Sequence, residues 1–169
     1  MNAPGVVVGI DIAAPAEMVW DVISDITVMP RFSTELQSVG WAPGFDGPRM
    51  GALFHGANRH PSVGEWTTRS EIVDFDPPRR FGWAVGGAEN PVATWIFDLS
   101  PIAEGTRLAY TARVGPGRSG LTMLIEREPQ RTEEIVERRM AQWRSGMQAT
   151  LAGIRELAEA SAGQLPRNR

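Results

Sequence analysis

The chain has 169 residues, of which 42% are hydrophobic and 22% are charged, proportions typical of a globular protein and not of a disordered or fibrous one. All of its basic residues are arginines, and the net charge of -3 argues against nucleic acid as a partner. The absence of cysteine excludes a disulfide framework and thiolate chemistry.

The chain begins with the pattern of one strand and a compact helical insert. Alternating apolar residues over 6–12 predict the strand. Pro15 is a favoured first-turn residue of a helix, and apolar residues recur at helical spacing over 18–23. Asp25 is placed to cap a second short helix, which Pro30 limits. Two short helices are therefore expected between the first and second strands.

Residues 36–114 carry the pattern of six further strands joined by Gly- and Pro-containing turns. Apolar alternation is clean in the last three, which predicts an antiparallel sheet with one buried face. The strand over 65–75 is less regular, because Trp66 and Ile72 have one parity whereas Val73 and Phe75 have the other. This change of parity predicts a β-bulge.

The last third of the chain has a helical period. Thr132 followed by two glutamates is a good helix start. An apolar stripe then extends over about 34 Å of helix at the usual rise per residue; its members are Val136, Met140, Trp143, Met147, Leu151, Ile154 and Ala158. Such a stripe is long enough to cover the apolar face of the sheet. The helical insert then closes one end of the space between sheet and helix.

These elements predict one α+β domain over residues 1–162, with 163–169 as a frayed tail. No apolar stretch approaches the roughly 20 residues of a membrane span. The N-terminus also lacks the basic start and apolar run of a signal peptide. The expected location is therefore the cytoplasm.

Several local patterns resemble the START-like, or SRPBCC, superfamily and its helix-grip fold, with most similarity to the polyketide cyclase/dehydrase branch. They occur in the expected order over nearly the whole chain: IAAPAEMVWDVISD (12–25), PRFS (30–33), GALFHGANR (51–59), EW (65–66), DPPRRFGW (76–83), W-x-F (95–97), EGTRL (104–108) and TLAGI (150–154). The resemblance implies a seven-stranded antiparallel sheet wrapped around the long C-terminal helix. It also implies a cavity between them that holds an apolar or aromatic molecule, and it transfers no catalytic residue.

Large side chains on the predicted inner face either fill a solid core or line this cavity. The candidate ligand-binding residues are Phe54, Asn58, Trp66, Thr68, Trp83, Trp95, Phe97, Tyr110, Trp143, Met147 and Leu151. Among them Asn58 and Tyr110 could orient a ligand or polarise a carbonyl group, which makes them the weak candidates for catalysis. The alternative is that each satisfies a buried backbone group.

The remaining polar residues indicate no cofactor and no metal site. His55 and His60 are the only histidines, and no clustered carboxylates accompany them. By alternation His55 should face away from the cavity. Gly146 and Gly153 lie a heptad apart in the long helix; they either reflect composition or leave room for a ligand or a bend.

Three functions remain open at this point. The first is binding of a hydrophobic or aromatic small molecule, lipid-like or polyketide-like, in the cavity. The second is a polyketide cyclase or dehydratase that uses the same cavity. The third is a regulatory or assembly protein whose cavity is filled.

Overall fold

The computed structural model describes residues 3–164, and its elements follow the predicted order. The strands are β1 (Gly5–Ile12), β2 (Leu36–Trp41), β3 (Leu53–His60), β4 (Gly64–Asp76), β5 (Arg80–Val85), β6 (Ala93–Ile102) and β7 (Gly105–Val114). The α-helices are α1 (Ala16–Ile23), α2 (Gly120–Arg127) and α3 (Thr132–Gly163), and short 3-10 helices span Ile26–Arg31 and Pro129–Arg131. Of the predicted tail, 163 belongs to α3 and 165–169 lie outside the described residues.

The strands form one antiparallel sheet of seven in the order β1-β7-β6-β5-β4-β3-β2. The predicted bulge in β4 is confirmed, because its register against β5 shifts between Ile72 and Asp74. After the shift, Phe75 stands opposite Phe81 and returns to the buried face. The bulge thus keeps both halves of a 13-residue strand packed against the core.

Helix α3 covers the buried face of the sheet mainly along β1, and it also packs against α1. Met147, Leu151, Ile154 and Ala158 of its stripe are all at most 2% exposed. The helix-grip arrangement that the resemblance implies is therefore confirmed. No helix within residues 3–164 combines the length and apolarity needed to cross a membrane.

The insert between β1 and β2 closes one end of the sheet. The Trp20 ring of α1 lies edge-on to Phe75 and Phe81, with centroids 5.5 and 5.8 Å away. Asp25 caps the 3-10 helix by accepting a hydrogen bond from the Thr27 backbone N–H at 3.0 Å, as its position predicts. We call this end, marked by Trp20, Phe75 and Phe81, the closed end.

Candidate functional site

Aromatic side chains from six strands, β2 to β7, together with α1 and α3 form a connected set on the inner face of the sheet. Trp83 lies at its centre, since its ring contacts those of Phe54, Phe81, Phe97 and Tyr110 at centroid distances of 5.9 to 6.4 Å. The Phe97 and Tyr110 rings stack at 4.1 Å with an interplanar angle of 16°. These contacts arise because alternate residues of neighbouring strands stand side by side on one face.

Exposure divides this set into two regions. Near the closed end the rings are packed, and Phe81 and Phe97 are 0% exposed. Farther along the strands, Trp83 and Trp95 are only half-buried, and so is Trp143 of α3. We call this second region the tryptophan surface; it consists of Trp83, Trp95 and Trp143. Trp143 extends it onto α3, because its ring lies 4.9 Å from that of Trp95.

The structure places the eleven predicted ligand-binding residues in three settings. Phe54, Phe97, Tyr110, Met147 and Leu151 are buried in the core, Trp83, Trp95 and Trp143 form the tryptophan surface, and Asn58, Trp66 and Thr68 are half-buried on neighbouring positions of β3 and β4. Two surface clefts of about 450 and 520 Å³ lie elsewhere, on other faces of α3, and none of the eleven lines them. The predicted cavity between sheet and helix therefore stays a prediction.

Three polar side chains of the same face lie among the apolar ones: Asn58, Ser70 and Tyr110. The Asn58 amide nitrogen Nδ2 is buried and has no hydrogen-bond partner among residues 3–164. Burial raises the pKa of the Tyr110 hydroxyl far above its ordinary value, so this group stays protonated and can donate a hydrogen bond. Ser70 is 2% exposed between Phe54 and Val85, its neighbours on β3 and β5. The face therefore offers neutral hydrogen-bonding groups in an apolar setting.

The histidines lie apart from these groups. His55 is exposed and alternates with Phe54, so it faces outward as predicted. His60 is the last residue of β3, and its Nδ1 accepts a hydrogen bond from the backbone N–H of Ser62 in the following turn at 3.1 Å. Within the described part of the chain, no group of three or more His, Asp or Glu side chains is placed to hold a metal ion.

An ion pair joins α3 to the segment before β2 at the edge of the tryptophan surface. Arg139 donates from Nη1 and Nη2 to the two carboxylate oxygens of Glu35, at 2.7 and 3.2 Å. The two side chains are 20% and 26% exposed. The Arg139 guanidinium also lies 6.0 Å from the Trp143 ring centroid. This pair fixes the first half of α3 relative to the β2 side of the sheet.

We expect Glu35→Gln to lower the free energy of unfolding by about 1.5 kcal/mol, because it leaves a half-buried guanidinium without its counter-charge. The matched control is Glu65→Gln, which breaks the Arg59–Glu65 pair, whose side chains are 65% and 70% exposed. That change should cost less than about 0.5 kcal/mol. Urea denaturation of both variants measures the difference, and equal losses would contradict the structural role of the Arg139–Glu35 pair.

Sequence reasoning missed three contributors to this region. Arg139 and Glu35 are 104 positions apart, and no local pattern connects them. Gly56 belongs to β3 and has the same parity as Phe54 and Asn58, so alternation alone could have placed it on the inner face. Gly56 stands directly opposite Thr68 of β4, and only the strand register reveals this pairing.

Comparisons with known proteins agree with this architecture. A family model described as "Polyketide cyclase / dehydrase and lipid transport" matches residues 4–159. The structure is similar to the solution structure of the Polyketide_cyc-like protein Cgl2372 from Corynebacterium glutamicum, with a TM-score of 0.66 and 29% identity over 98% of this chain and 97% of that one. We find no match among curated proteins.

Two larger proteins share the fold. They are the di-domain ARO/CYC proteins StfQ, from the steffimycin biosynthetic pathway, and BexL, from the BE-7585A biosynthetic pathway. Their TM-scores are 0.75 and 0.67 at 15% and 19% identity, over 96% of this chain in each case. The chain spans about half the length of each, covering 52% and 50% of them. From the match over residues 4–159, together with the sheet and helix that it describes, the chain belongs to the polyketide cyclase/dehydrase and lipid transport family.

Proposed function

We propose that the protein binds a hydrophobic or aromatic small molecule against the tryptophan surface, between the sheet and the first half of α3. The observation that carries this proposal is the exposure of Trp83. Its ring lies in a central strand and contacts four rings that are each at most 8% exposed, yet Trp83 itself is only half-buried. Half-buried indole rings beside a packed core are the kind of surface that aromatic ligands cover.

The neutral polar groups of this face support the same function. In an apolar setting, a protonated Tyr110 hydroxyl and the Asn58 amide would gain most from a ligand that accepts hydrogen bonds. Such groups orient a ligand, whereas the rings contribute most of the contact area. Membership in a family whose description includes lipid transport is consistent with an apolar ligand.

Titration with N-phenyl-1-naphthylamine, a neutral dye that fluoresces in apolar sites, tests the proposal. Trp83→Ala should weaken dye binding about tenfold, because it removes a large part of the apolar contact area. The control is Ile102→Ala, which truncates a side chain that is 40% exposed at the far end of β6 and should leave binding unchanged. Failure of the wild-type protein to bind the dye, or equal binding by Trp83→Ala, would contradict the proposal.

A second candidate is a cyclase or dehydratase that acts in the same place. The family description favours it, and two proteins with the same fold are ARO/CYC proteins. In this case Tyr110 and Asn58 would polarise a carbonyl group while the apolar walls fold the chain of the substrate. Incubation with a poly-β-ketone should then change its product distribution, and Tyr110→Phe should reduce that change. An unaltered product distribution would leave binding as the function.

A further inference from the structure

One face of α3 stays exposed along the edge of the sheet. Its exposed residues recur at spacings of 4, 3, 4, 4 and 3, and we call them the edge row: Glu137, Ala141, Arg144, Gln148, Ala152 and Arg155. Glu159 continues this row and accepts a hydrogen bond from the backbone N–H of Ala13, just after β1, at 3.0 Å. The edge row therefore faces the free side of β1, whose strand partner in the sheet is β7.

A surface cleft of about 450 Å³ lies between the edge row and the start of β1. Gly5 and Val6 of β1 form one wall of it, and α3 forms the other. Val136 and Met140 contribute apolar surface to the cleft, and both are only half-buried. Apolar surface beside a sheet edge is the kind of surface that a second protein surface covers.

The charges at the two ends of the edge row are opposite. Glu137 lies at its start, and Arg155 lies 18 residues later, or about 27 Å farther along the helix axis. The ion pairs among residues 3–164 all involve other side chains. Between the two charges, the small side chains of Ala141 and Ala152 let a second helix approach to about 8 Å. The edge row is therefore complementary in charge to a reversed copy of itself.

We infer that the edge row is the interface of a homodimer, in which α3 packs antiparallel against α3 of a second copy. A two-fold axis near Gly146 places Glu137 opposite Arg155 of the second copy and, by symmetry, Arg155 opposite its Glu137. The same axis places Arg144 opposite Gln148 of the second copy. A parallel arrangement would instead bring Glu137 against Glu137, so the charges select the antiparallel one.

Sedimentation velocity at protein concentrations from roughly 5 to 200 µM measures this association. We expect a dissociation constant in the micromolar range, because the interface consists of one helix face and the cleft beside it. It should rise at least tenfold between about 20 mM and 500 mM NaCl, since salt screens exposed charges. A protein that stays monomeric at every concentration at low salt would contradict the inference.

Charge reversal tests the predicted pairing of residues. Glu137→Arg and Arg155→Glu should each raise the dissociation constant more than about tenfold, because each places like charges opposite one another at both symmetry-related positions. The control is Glu104→Arg in the exposed turn between β6 and β7, which makes the same change of charge away from α3 and should leave association unchanged.

An equal mixture of Glu137→Arg and Arg155→Glu should form a heterodimer at least as tight as the wild-type dimer. One copy then carries two positive charges on the edge row positions and the other carries two negative ones, so both pairs are attractive. Formation of this heterodimer also shows that both variants are folded. If neither reversal weakens association, or if folded variants fail to associate in the mixture, the antiparallel pairing is wrong.

The homodimer is independent of the proposed ligand binding. The edge row and the tryptophan surface lie on different faces of α3, so Glu137→Arg should bind N-phenyl-1-naphthylamine as the wild-type protein does. Loss of dimerisation with unchanged dye binding would support this inference. Equal loss of both in Glu137→Arg would contradict it, because the substitution would then act on the whole fold and not on one interface.

Discussion

Alkaline pH is expected to destabilise the protein through one side chain, Tyr110. It is the only tyrosine, and the chain contains no lysine or cysteine, the other side chains that titrate between about pH 8 and 12. Burial raises the pKa of the folded-state hydroxyl well above its ordinary value of 10.0. Above pH 10 the hydroxyl of the unfolded chain loses its proton while that of the folded protein keeps it, and this difference favours unfolding.

The contribution of Tyr110 to stability is therefore complete below pH 10 and is lost as the pH rises. The free energy of unfolding should fall by roughly 1 kcal/mol or slightly more for each pH unit above 10. Urea denaturation at a series of pH values measures this slope. Tyrosinate absorbance supplies an independent measure, since the folded protein should show no ionisation at a pH where the urea-unfolded chain is fully ionised.

Tyr110→Phe is the matched control for this effect. It keeps the stacked ring beside Phe97 and removes the titrating group. The free energy of unfolding of this variant should therefore change by less than about 1 kcal/mol between pH 9 and pH 12. If the wild-type protein shows the tyrosinate spectrum while still folded, or if the variant has the same alkaline slope, Tyr110 is not buried as described.

The two glycines in the middle of α3 should respond to alanine with opposite signs. At Gly153 a methyl group would overlap the ring of Phe32, with Cε1 and Cγ only 2.6 and 2.9 Å away. At Gly146 it would meet nothing within 4 Å. The room left by Gly153 is thus filled by the ring of Phe32, a packing role that the sequence analysis did not predict.

We expect Gly153→Ala to destabilise the protein by about 2 kcal/mol, because displacing a whole aromatic ring costs more than the gain in helix propensity. Gly146→Ala should stabilise it by about 0.5 to 1 kcal/mol, the usual gain of alanine over glycine in a helix. Thermal denaturation should show these changes as shifts of about 2 to 4 °C per kcal/mol.

The pair Phe32 and Gly153 also allows a double-mutant cycle. In a Phe32→Ala background the ring is absent, so Gly153→Ala should lose its destabilising effect and behave like Gly146→Ala. Additive losses in the double variant would contradict the direct contact. Stabilisation by Gly153→Ala in the wild-type background would contradict it too.

The candidate site was predictable to the extent that it follows from alternation. Residues 54 and 58 of β3, 66 and 68 of β4 and 83 of β5 share a face because each strand has a period of two, and the bulge near Ile72 was visible as a change of parity. Whether a strand position is odd or even gives the face of its side chain but not the exposed fraction of its ring. The difference between the packed Phe97 and the half-buried Trp83 depends on where α1 and α3 lie over the sheet.

The elements of this protein, their order and the faces that they bury can be predicted from local sequence patterns, because those features depend on residues two to four positions apart. The cap at Asp25 and the long apolar stripe of α3 follow from the same patterns. Only the three-dimensional arrangement shows that Arg139 meets Glu35, that Phe32 covers Gly153 and that Thr68 and Leu36 pack against Gly56. These contacts join residues that are far apart in the chain. They depend on the strand register and on the position of α3 over the sheet, which no local pattern specifies.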